Sequence, residues 1–487
     1  ELLLHPLYEC ADYNPNFISE LFSISTLPQL CPSSFAAALC DPVTRGKWIA
    51  GFYKHLDNCY DISTFGRPQI PPPDATVLPA VVALKLVLNQ LKQAAAHKVR
   101  ICVHGGFQIQ GHDYDRSYAH TVLASTLQIM LAVAVCFCFE YFHFDIANAF
   151  QSTPNPGNIN DNCTWLKINA TWIEYIQERK PEWWPAISAL LRTHSVEELA
   201  VPMNTLVQGC VDASLKCQEH VEPIIFNDLG FLPNCADPSA HCGIFQNAPV
   251  VLCRATDNFL CMCADEATYH HQIIKVFKKH CTVHSLGIVS TFFGLHFIVS
   301  RNCVSIDQTD KTEGLITSVY GPSWQKQPPL SSCATPMRAG TAYSKSLAQA
   351  LPLDDHDLIL TEKEFGCKYQ MILQGCMYIA LWTHLDILPT CVALAQYQMH
   401  TAPIHFAAIK HLVGYLQLHP NLPLVYNRTH FHMVVTSLDI EIDPALAFLP
   451  GFYGPEAYHI GSVDLLLLMH PLYVRSVALD PNSPIIR

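Results

Sequence analysis

The sequence predicts an α+β protein of several lobes: a mixed first lobe, a middle of antiparallel strands packed on helices, and a helical lobe after it. Three observations carry this. Through the middle of the chain β-type runs alternate with helix-type stretches, whereas 360–418 reads as helical. Half of the 487 residues are apolar, enough to bury a large core in two to four lobes. Two acidic segments roughly a hundred residues apart each close a β-type run: Phe144-Asp145-Ile146-Ala147-Asn148-Ala149-Phe150 and Ala255-Thr256-Asp257-Asn258-Phe259-Leu260. A rigid strand ending in aspartate can aim a carboxylate into a cleft.

Taken in order, 1–28 reads as an irregular leader. Pro32-Ser33-Ser34-Phe35 opens a helix capped by serine and running past Trp48 to Leu56. After the proline-rich break at 68–73, residues 75–88 suit a strand pair. Lys98 to His104 alternates charged and apolar residues, as a half-buried strand does, and Gly105-Gly106 ends it. A helix is expected over 118–135, then the first acidic strand. Residues 153–207 read as polar and loop-rich. A helix follows over 211–229, then a β-hairpin from Cys242 through Ala248-Pro249 into the second acidic strand. An amphipathic helix over 268–281, a strand over 292–299 and a Pro/Ser linker over 320–338 complete the middle.

Composition narrows the function classes. Only 14% of residues are charged, and 29 Lys+Arg against 41 Asp+Glu give a formal charge of −12, which argues mildly against a nucleic-acid binder unless a local groove is basic. The 21 cysteines are an odd number without repeated spacing and without a secretory signal, so they read as reduced, intracellular thiols. The sequons at Asn162, Asn169 and Asn427 are then chance matches. A first residue other than Met and an irregular tail read as a fragment of something longer. The apolar run 126–139 is shorter than the ~20 residues needed to cross a bilayer, so no membrane partner is expected. Cys261, Cys263, His270, His271, His280 and Cys281 match no structural zinc spacing.

Two strand-end carboxylates side by side suit a two-metal nucleotidyl-transfer site, where a pair of Mg²⁺ ions activates a hydroxyl and stabilises a leaving pyrophosphate. Asp145 supplies one carboxylate. Asp257 supplies the second, in preference to Asp265-Glu266, because 258–292 then has room for a strand, a helix and a loop. Asn258 stands where a third carboxylate is wanted.

Beyond these segments, a series of motifs runs in order along the chain: Pro32 to Ala38 with Trp48, Val99-Arg100-Ile101-Cys102-Val103-His104-Gly105-Gly106-Phe107, His112 to Ala119, Phe144 to Phe150, Gln208-Gly209-Cys210-Val211-Asp212-Ala213, Phe292-Phe293-Gly294-Leu295, Cys333-Ala334-Thr335-Pro336-Met337, Thr383-His384-Leu385-Asp386-Ile387 and Lys410 to Leu416. Over 30–426 this resembles the reverse transcriptase region of copia-type LTR retrotransposon polyproteins. Three positions depart from the family: Asn258 for the second of its tandem aspartates, His384 for an arginine, and Cys217 for a large aromatic.

The resemblance implies a fingers–palm–thumb fold. It assigns 29–120 to the fingers, 121–152 to the palm, 153–207 to a fingers insertion, 208–319 to the palm with its catalytic hairpin, 320–338 to a linker and 339–426 to a helical thumb or connection lobe. The tail 427–487, with alternating Asp439, Glu441 and Asp443, is a candidate RNase H remnant. It also implies RNA-directed DNA synthesis with two Mg²⁺ ions held by Asp145 and Asp257, with Asn258 beside them. Phe150, five residues past Asp145, would gate against a ribose 2′-hydroxyl, although it reads equally as a core aromatic. Arg100 and Lys98 would contact the triphosphate, or else form a solvated strand face, and Gln208 and Gly209 would line the nucleotide pocket. The implied partners are an RNA template, a DNA primer, dNTPs and the integrase and RNase H domains of the same polyprotein, inside the cell. The competing reading is a catalytically dead relic that keeps the fold and at most binds nucleic acid or acts as a scaffold. A metal-storage or redox role for the thiols is a third class.

Overall fold

The computed structural model describes residues 31–88, 94–155, 164–234, 236–245, 248–300, 302–326 and 333–428, and these form a mixed α+β protein. In chain order the strands are β1 (Val77–Leu78), β2 (Ala80–Leu88), β3 (Ala94–Val103), β4 (Glu140–Ile146), β5 (Trp165–Lys167), β6 (Ala200–Pro202), β7 (Leu232–Pro233) and β8 (Ala240–Phe245). They continue as β9 (Ala248–Ala255), β10 (Asn258–Cys263), β11 (Val283–Ile288), β12 (Thr291–Phe292), β13 (Leu295–Ser300), β14 (Cys303–Asp307) and β15 (Leu424–Asn427). The central sheet has the order β11-β4-β10-β9-β8-β7, beside a four-stranded sheet β12-β13-β14-β15, a three-stranded sheet β1-β5-β6 and the ribbon β2-β3.

Ser34 caps the first helix, its Oγ accepting from Ala37 N–H at 3.1 Å. What reads as one helix is two, Phe35–Cys40 and Arg45–Asp61. Pro42 has no N–H to continue the ladder. The Asp41 carboxylate meanwhile takes Val43 N–H at 2.9 Å and the Thr44 hydroxyl at 2.5 Å, closing a turn. Residues 75–88 hold two strands that do not pair with each other: Pro79 separates β1, which lies parallel to β5, from β2, which forms a long antiparallel ribbon with β3. On β3, Val99, Ile101 and Val103 are buried while Lys98 and Arg100 face solvent.

The stretch 153–207 is not loop-rich. It carries β5, β6 and the helices Ala170–Arg179 and Trp184–Leu190, and its Trp172, Tyr175 and Ile176 share one core with Trp48, Phe52 and Tyr60. Trp172 is anchored as a polar-tipped core residue, its Nε1–H donating to Tyr60 Oη at 2.9 Å. The helix expected from 118 begins only at Ala124. The preceding N–H groups are already committed, Val122 to Arg254 O at 3.0 Å and Leu123 to Asp237 Oδ2 at 2.8 Å. That helix, Ala124–Cys136, is buried between sheets, and among the described residues no helix is long and apolar enough to cross a membrane.

The expected strand over 292–299 is a hairpin. Phe293 (φ 52°) and Gly294 (φ 76°) form a two-residue turn between β12 and β13, the left-handed pair that matches strand twist. The helix Ala213–Pro223 runs on into a π turn, Ile224–Asp228. The helix read over 268–281 spans 266–277, with a π segment, Tyr269–Ile274. After Thr309–Tyr320, the helices Thr341–Ala348, Asp355–Phe365, Tyr369–Trp382, Leu388–Ala395 and Pro403–Leu418 build a lobe with its own core. The linker is pinned at Trp324 and Cys333, both buried. Residues 1–28 and the tail beyond 428, with Asp439, Glu441 and Asp443, lie outside the described residues.

The central sheet alternates between two cores. Phe142, Phe144, Ile146, Phe259, Cys261 and Cys263 face the helices, where Phe144 stacks on Phe259 at 4.8 Å. Tyr141, Leu260, Met262, Val251 and Cys253 face Ala124–Cys136 and the four-stranded sheet. Beneath the helices, His241 is fully buried with neither ring nitrogen hydrogen-bonded, and Arg254 is buried with Nη2 3.6 Å from Glu222 Oε1. Burial, with the Arg254 charge second, lowers the His241 pKa to about 3. Unfolded His241 binds a proton near 6.5, so folding excludes that proton and stability falls as pH drops from ~6.5 toward 3. His241→Leu is therefore expected to lower the pH midpoint of acid unfolding, read by circular dichroism; an unchanged midpoint would remove His241 from the acid response.

Candidate active site

Strand register brings the two acidic segments together. In the antiparallel pair β4·β10, Asn258 lies directly opposite Asp145, and the pairing continues through Phe259↔Phe144 to Cys263↔Glu140. β9 and β10 are joined by the two-residue loop Thr256-Asp257, closed by Ala255↔Asn258. Thr256 takes φ 60°, a conformation that costs a β-branched residue free energy and that the flanking strands impose. The loop is bonded to the neighbouring strand, Ile146 N–H donating to Asp257 O at 2.9 Å. Asp265 and Glu266 lie at the other end of β10, where Asp265 caps the 266–277 helix through Thr268 N–H at 2.7 Å. The register thus separates that acidic pair from Asp145.

Asp145, His143 and Tyr141 alternate onto one face of β4, which β10 extends with Asn258. Asn258 donates from Nδ2 to Asp257 Oδ1 at 2.9 Å, and its Oδ1 lies 3.2 Å from His143 Nε2. A carboxylate only accepts, so Asn258 turns its NH₂ to Asp257 and its oxygen to His143, whose Nε2 then carries the proton. Burial lowers the His143 pKa, against the pull of Asn258, Asp145 and Asp257.

Burial also pushes the Asp257 carboxyl up. The loop's own N–H opposes that shift, the Asp145 charge adds to it, and Arg100 and Asn258 oppose it. Asp145 and Arg100 therefore both lie within electrostatic reach of Asp257. Asp145 Oδ1 is buried and accepts no hydrogen bond; His284 Nδ1, on β11 opposite Asp145, is 3.6 Å away, too far to donate well.

The other expected residues are placed as follows. Arg100 and Lys98 are exposed on one face of β3, Lys98 directly across from Lys85 of β2. Phe150 is half-buried and packs against the core on the helix-covered face of the sheet, opposite to the face that carries Asp145. Gln208 and Gly209 sit against the end of β3: Gln208 O accepts from Val103 N–H at 2.7 Å, and Gly209 takes φ 96°. Cys261 and Cys263 are buried while His270, His271 and His280 are exposed, so that group does not converge. Every described cysteine is free.

The donors fit a divalent cation in part. Two carboxylates lie within electrostatic reach of each other at adjacent strand ends, one with an unspent buried oxygen, and their mutual repulsion favours a cation nearby. The third position supplies a neutral amide in place of a carboxylate, its oxygen 3.2 Å from His143 Nε2 and its NH₂ committed to Asp257. Among the described residues, the only three-residue group with ligand atoms all within 4.8 Å is Asp354, His356 and Asp357, exposed around the start of a helix. His143 and His284 carried no sequence signal of their own. The period of two from Asp145 would have found His143, whereas His284 joins the site only through the β4·β11 register.

No family model matches the sequence, and no curated protein does. Among solved structures, the chain is similar to telomerase from Candida albicans in complex with a fragment of telomeric RNA. The TM-score is 0.30 at 9% identity, over 75% of this chain and 68% of that one, a likeness too small to decide anything about this protein.

Proposed function

We propose that the chain is an RNA-directed DNA polymerase domain of the copia type, with a fingers–palm–thumb arrangement and nucleotidyl transfer at the Asp145–Asp257 turn. The observation that carries this is the β4·β10 register, which sets the strand-end Asp145 beside the Thr256-Asp257-Asn258 turn with one carboxylate oxygen unspent. The ordered motifs over 30–426 support it. Two Mg²⁺ ions bound there would supply the charge that activates a primer hydroxyl and stabilises a leaving pyrophosphate. Asp145 and Asp257 would hold them. Arg100, whose charge already acts on Asp257, would meet the triphosphate of an incoming dNTP, with Lys98 further along the same strand face. Gln208 and Gly209 would form the wall beneath the nucleotide, whereas Phe150, packed on the other face of the sheet, serves as a core aromatic and not as its gate. An RNA template and a DNA primer are the macromolecular partners, and integrase and RNase H the polyprotein neighbours, in an intracellular setting.

A second reading, a relic that binds nucleic acid without catalysis, is favoured by one observation: the Asn258 amide occupies Asp257 Oδ1 and gives its own oxygen to His143. Primer extension on an RNA template with Mg²⁺ separates the two. Incorporation above the Asp145→Ala background is expected of the polymerase. If the wild type and Asn258→Asp both stay at that background, catalysis is excluded.

A further inference from the structure

We propose that the outer side of the 266–277 helix, with the turn after it, is a phosphate-binding surface for double-stranded nucleic acid. Lys275, Lys278 and Lys279 hold the duplex by its backbone, without reading its sequence. The surface lies on the helix-covered face of the central sheet, away from the face that carries Asp145, and does not depend on the reading given above for the Asp145–Asp257 turn.

Charge is segregated along this stretch. The chain carries 41 Asp and Glu, yet none occurs from Ala267 to Ile306. Against a formal charge of −12, three of its 29 Lys and Arg fall within five positions, at 275, 278 and 279. The fold then gathers them. Tyr269, Ile273, Ile274 and Phe277 pack into the core, which turns His270, His271, Lys275, Lys278 and Lys279 outward. Those five, with Ile274 at the floor, line one open cleft of about 310 Å³. Residues four apart share a helix face: His270, Ile274 and Lys278 form one row, and His271, Lys275 and Lys279 the next. The bordering carboxylates are engaged by histidines, Glu266 at 3.4 Å from His270 and Asp228 at 3.1 Å from His280. Among the described residues none of the three lysines is in an ion pair.

A solvated helix face usually intersperses both signs, and like charges four apart, as at Lys275 and Lys279, destabilise an isolated helix. A ligand with repeated negative charge offsets that repulsion. Lysines are point charges on flexible stems, suited to following a run of phosphates, whereas paired recognition of single carboxylates favours the fork of arginine. No exposed aromatic ring lines the cleft, since Tyr269 is buried, so unpaired bases have nothing to stack on and the strand held here is a paired one. Ile274 is buried as well, so no apolar side chain stands out to enter a membrane. Each strand of a duplex presents a phosphate per ~3.4 Å of axis. Lysines spread over about 6 Å of helix axis therefore meet more than one.

The test uses the full chain and a short DNA duplex of arbitrary sequence. With the duplex saturating, acetylation of Lys275, Lys278 and Lys279 by an amine-reactive ester, read by mass spectrometry, should slow about threefold or more. Poly-glutamate at equal charge should not slow it. Lys275→Gln, Lys278→Gln and Lys279→Gln together should weaken duplex binding about tenfold or more in low salt, read by fluorescence anisotropy. They should also lower the slope of log affinity against log salt by roughly 2.7, the share of three phosphates. The matching triple Lys→Arg variant should keep that slope. Lys98→Gln with Arg100→Gln should leave the protection in place, because those residues lie on another element. A chain that binds duplex without protecting the three lysines, or a triple Lys→Gln variant with an unchanged slope, overturns the inference and leaves the reading of the turn untouched. Equal protection by poly-glutamate overturns nucleic acid as the ligand, and a wild type that binds no duplex overturns the inference outright.

Discussion

Asn258→Asp is expected to raise Mg²⁺-dependent incorporation by roughly 10²–10³, the usual worth of one preorganised charge partner in an active site. In the wild type the amide neutralises that position twice over: its NH₂ is committed to Asp257 Oδ1 at 2.9 Å and its oxygen to His143 Nε2 at 3.2 Å. An aspartate there can only accept. It keeps His143 as a donor and turns its second oxygen toward the cleft beside Asp257. The cost falls on the metal-free protein, where a second carboxylate would sit against one whose pKa burial has already raised. The variant should therefore melt below the wild type in chelator and regain that loss on addition of Mg²⁺. Single-turnover primer extension reads the gain. A folded Asn258→Asp variant no faster than wild type would mean that something other than this amide limits the site.

Gly209→Ala is expected to destabilise the protein by about 3 kcal/mol or more, read from the midpoint of urea unfolding. Two effects add. At φ 96° an L side chain is strained, and the added Cβ would lie 2.1 Å from Val103 O and 3.1 Å from Val103 N, both backbone atoms that cannot swing aside. The same contact is closed from the other side, because a Cβ on Gly105 would meet Gly209 O at 2.2 Å. Gln208-Gly209 and the end of β3 are thus packed backbone against backbone, glycine at both crossings. A cost under about 1 kcal/mol would show that this junction yields more easily than the packing implies.

Much of the central sheet was legible because its signals are local. The hairpin around Ala248, the strand before Asp145 and the serine cap at Ser34 each rest on a few adjacent residues. Where the reading departs from the structure, the deciding contact is distant or small. Pro42 splits a helix whose apolar periodicity runs straight through it. Phe293-Gly294 turns a run of apolar residues back on itself. Val122 and Leu123 stay extended because Arg254 and Asp237, over a hundred residues later, take their N–H groups. Residues 153–207 read as loop-rich because the partners that order Trp172 (Phe52 and Tyr60) lie more than a hundred residues earlier. In the candidate site the aspartates could be read from strand ends. The partners of Asn258 and the position of His284 come from cross-strand register, which one sequence does not encode locally.

The turn at Phe293-Gly294 does more than reverse a strand. Tyr378, on the inner helix Tyr369–Trp382, donates its hydroxyl to Phe293 O at 2.8 Å, and a Cβ on Gly294 would stand 2.7 Å from Tyr378 Oη. Phe292, on the near side of the turn, lies edge-on to His143 at 5.8 Å, and Gln128 bonds the carbonyls of Leu381 and Trp382 at the helix's end. A short chain of contacts therefore runs from the helical lobe through one turn to the imidazole behind Asn258. The helical lobe thus abuts, through one hydrogen bond and one ring contact, the imidazole that faces Asn258, the residue next to Asp257.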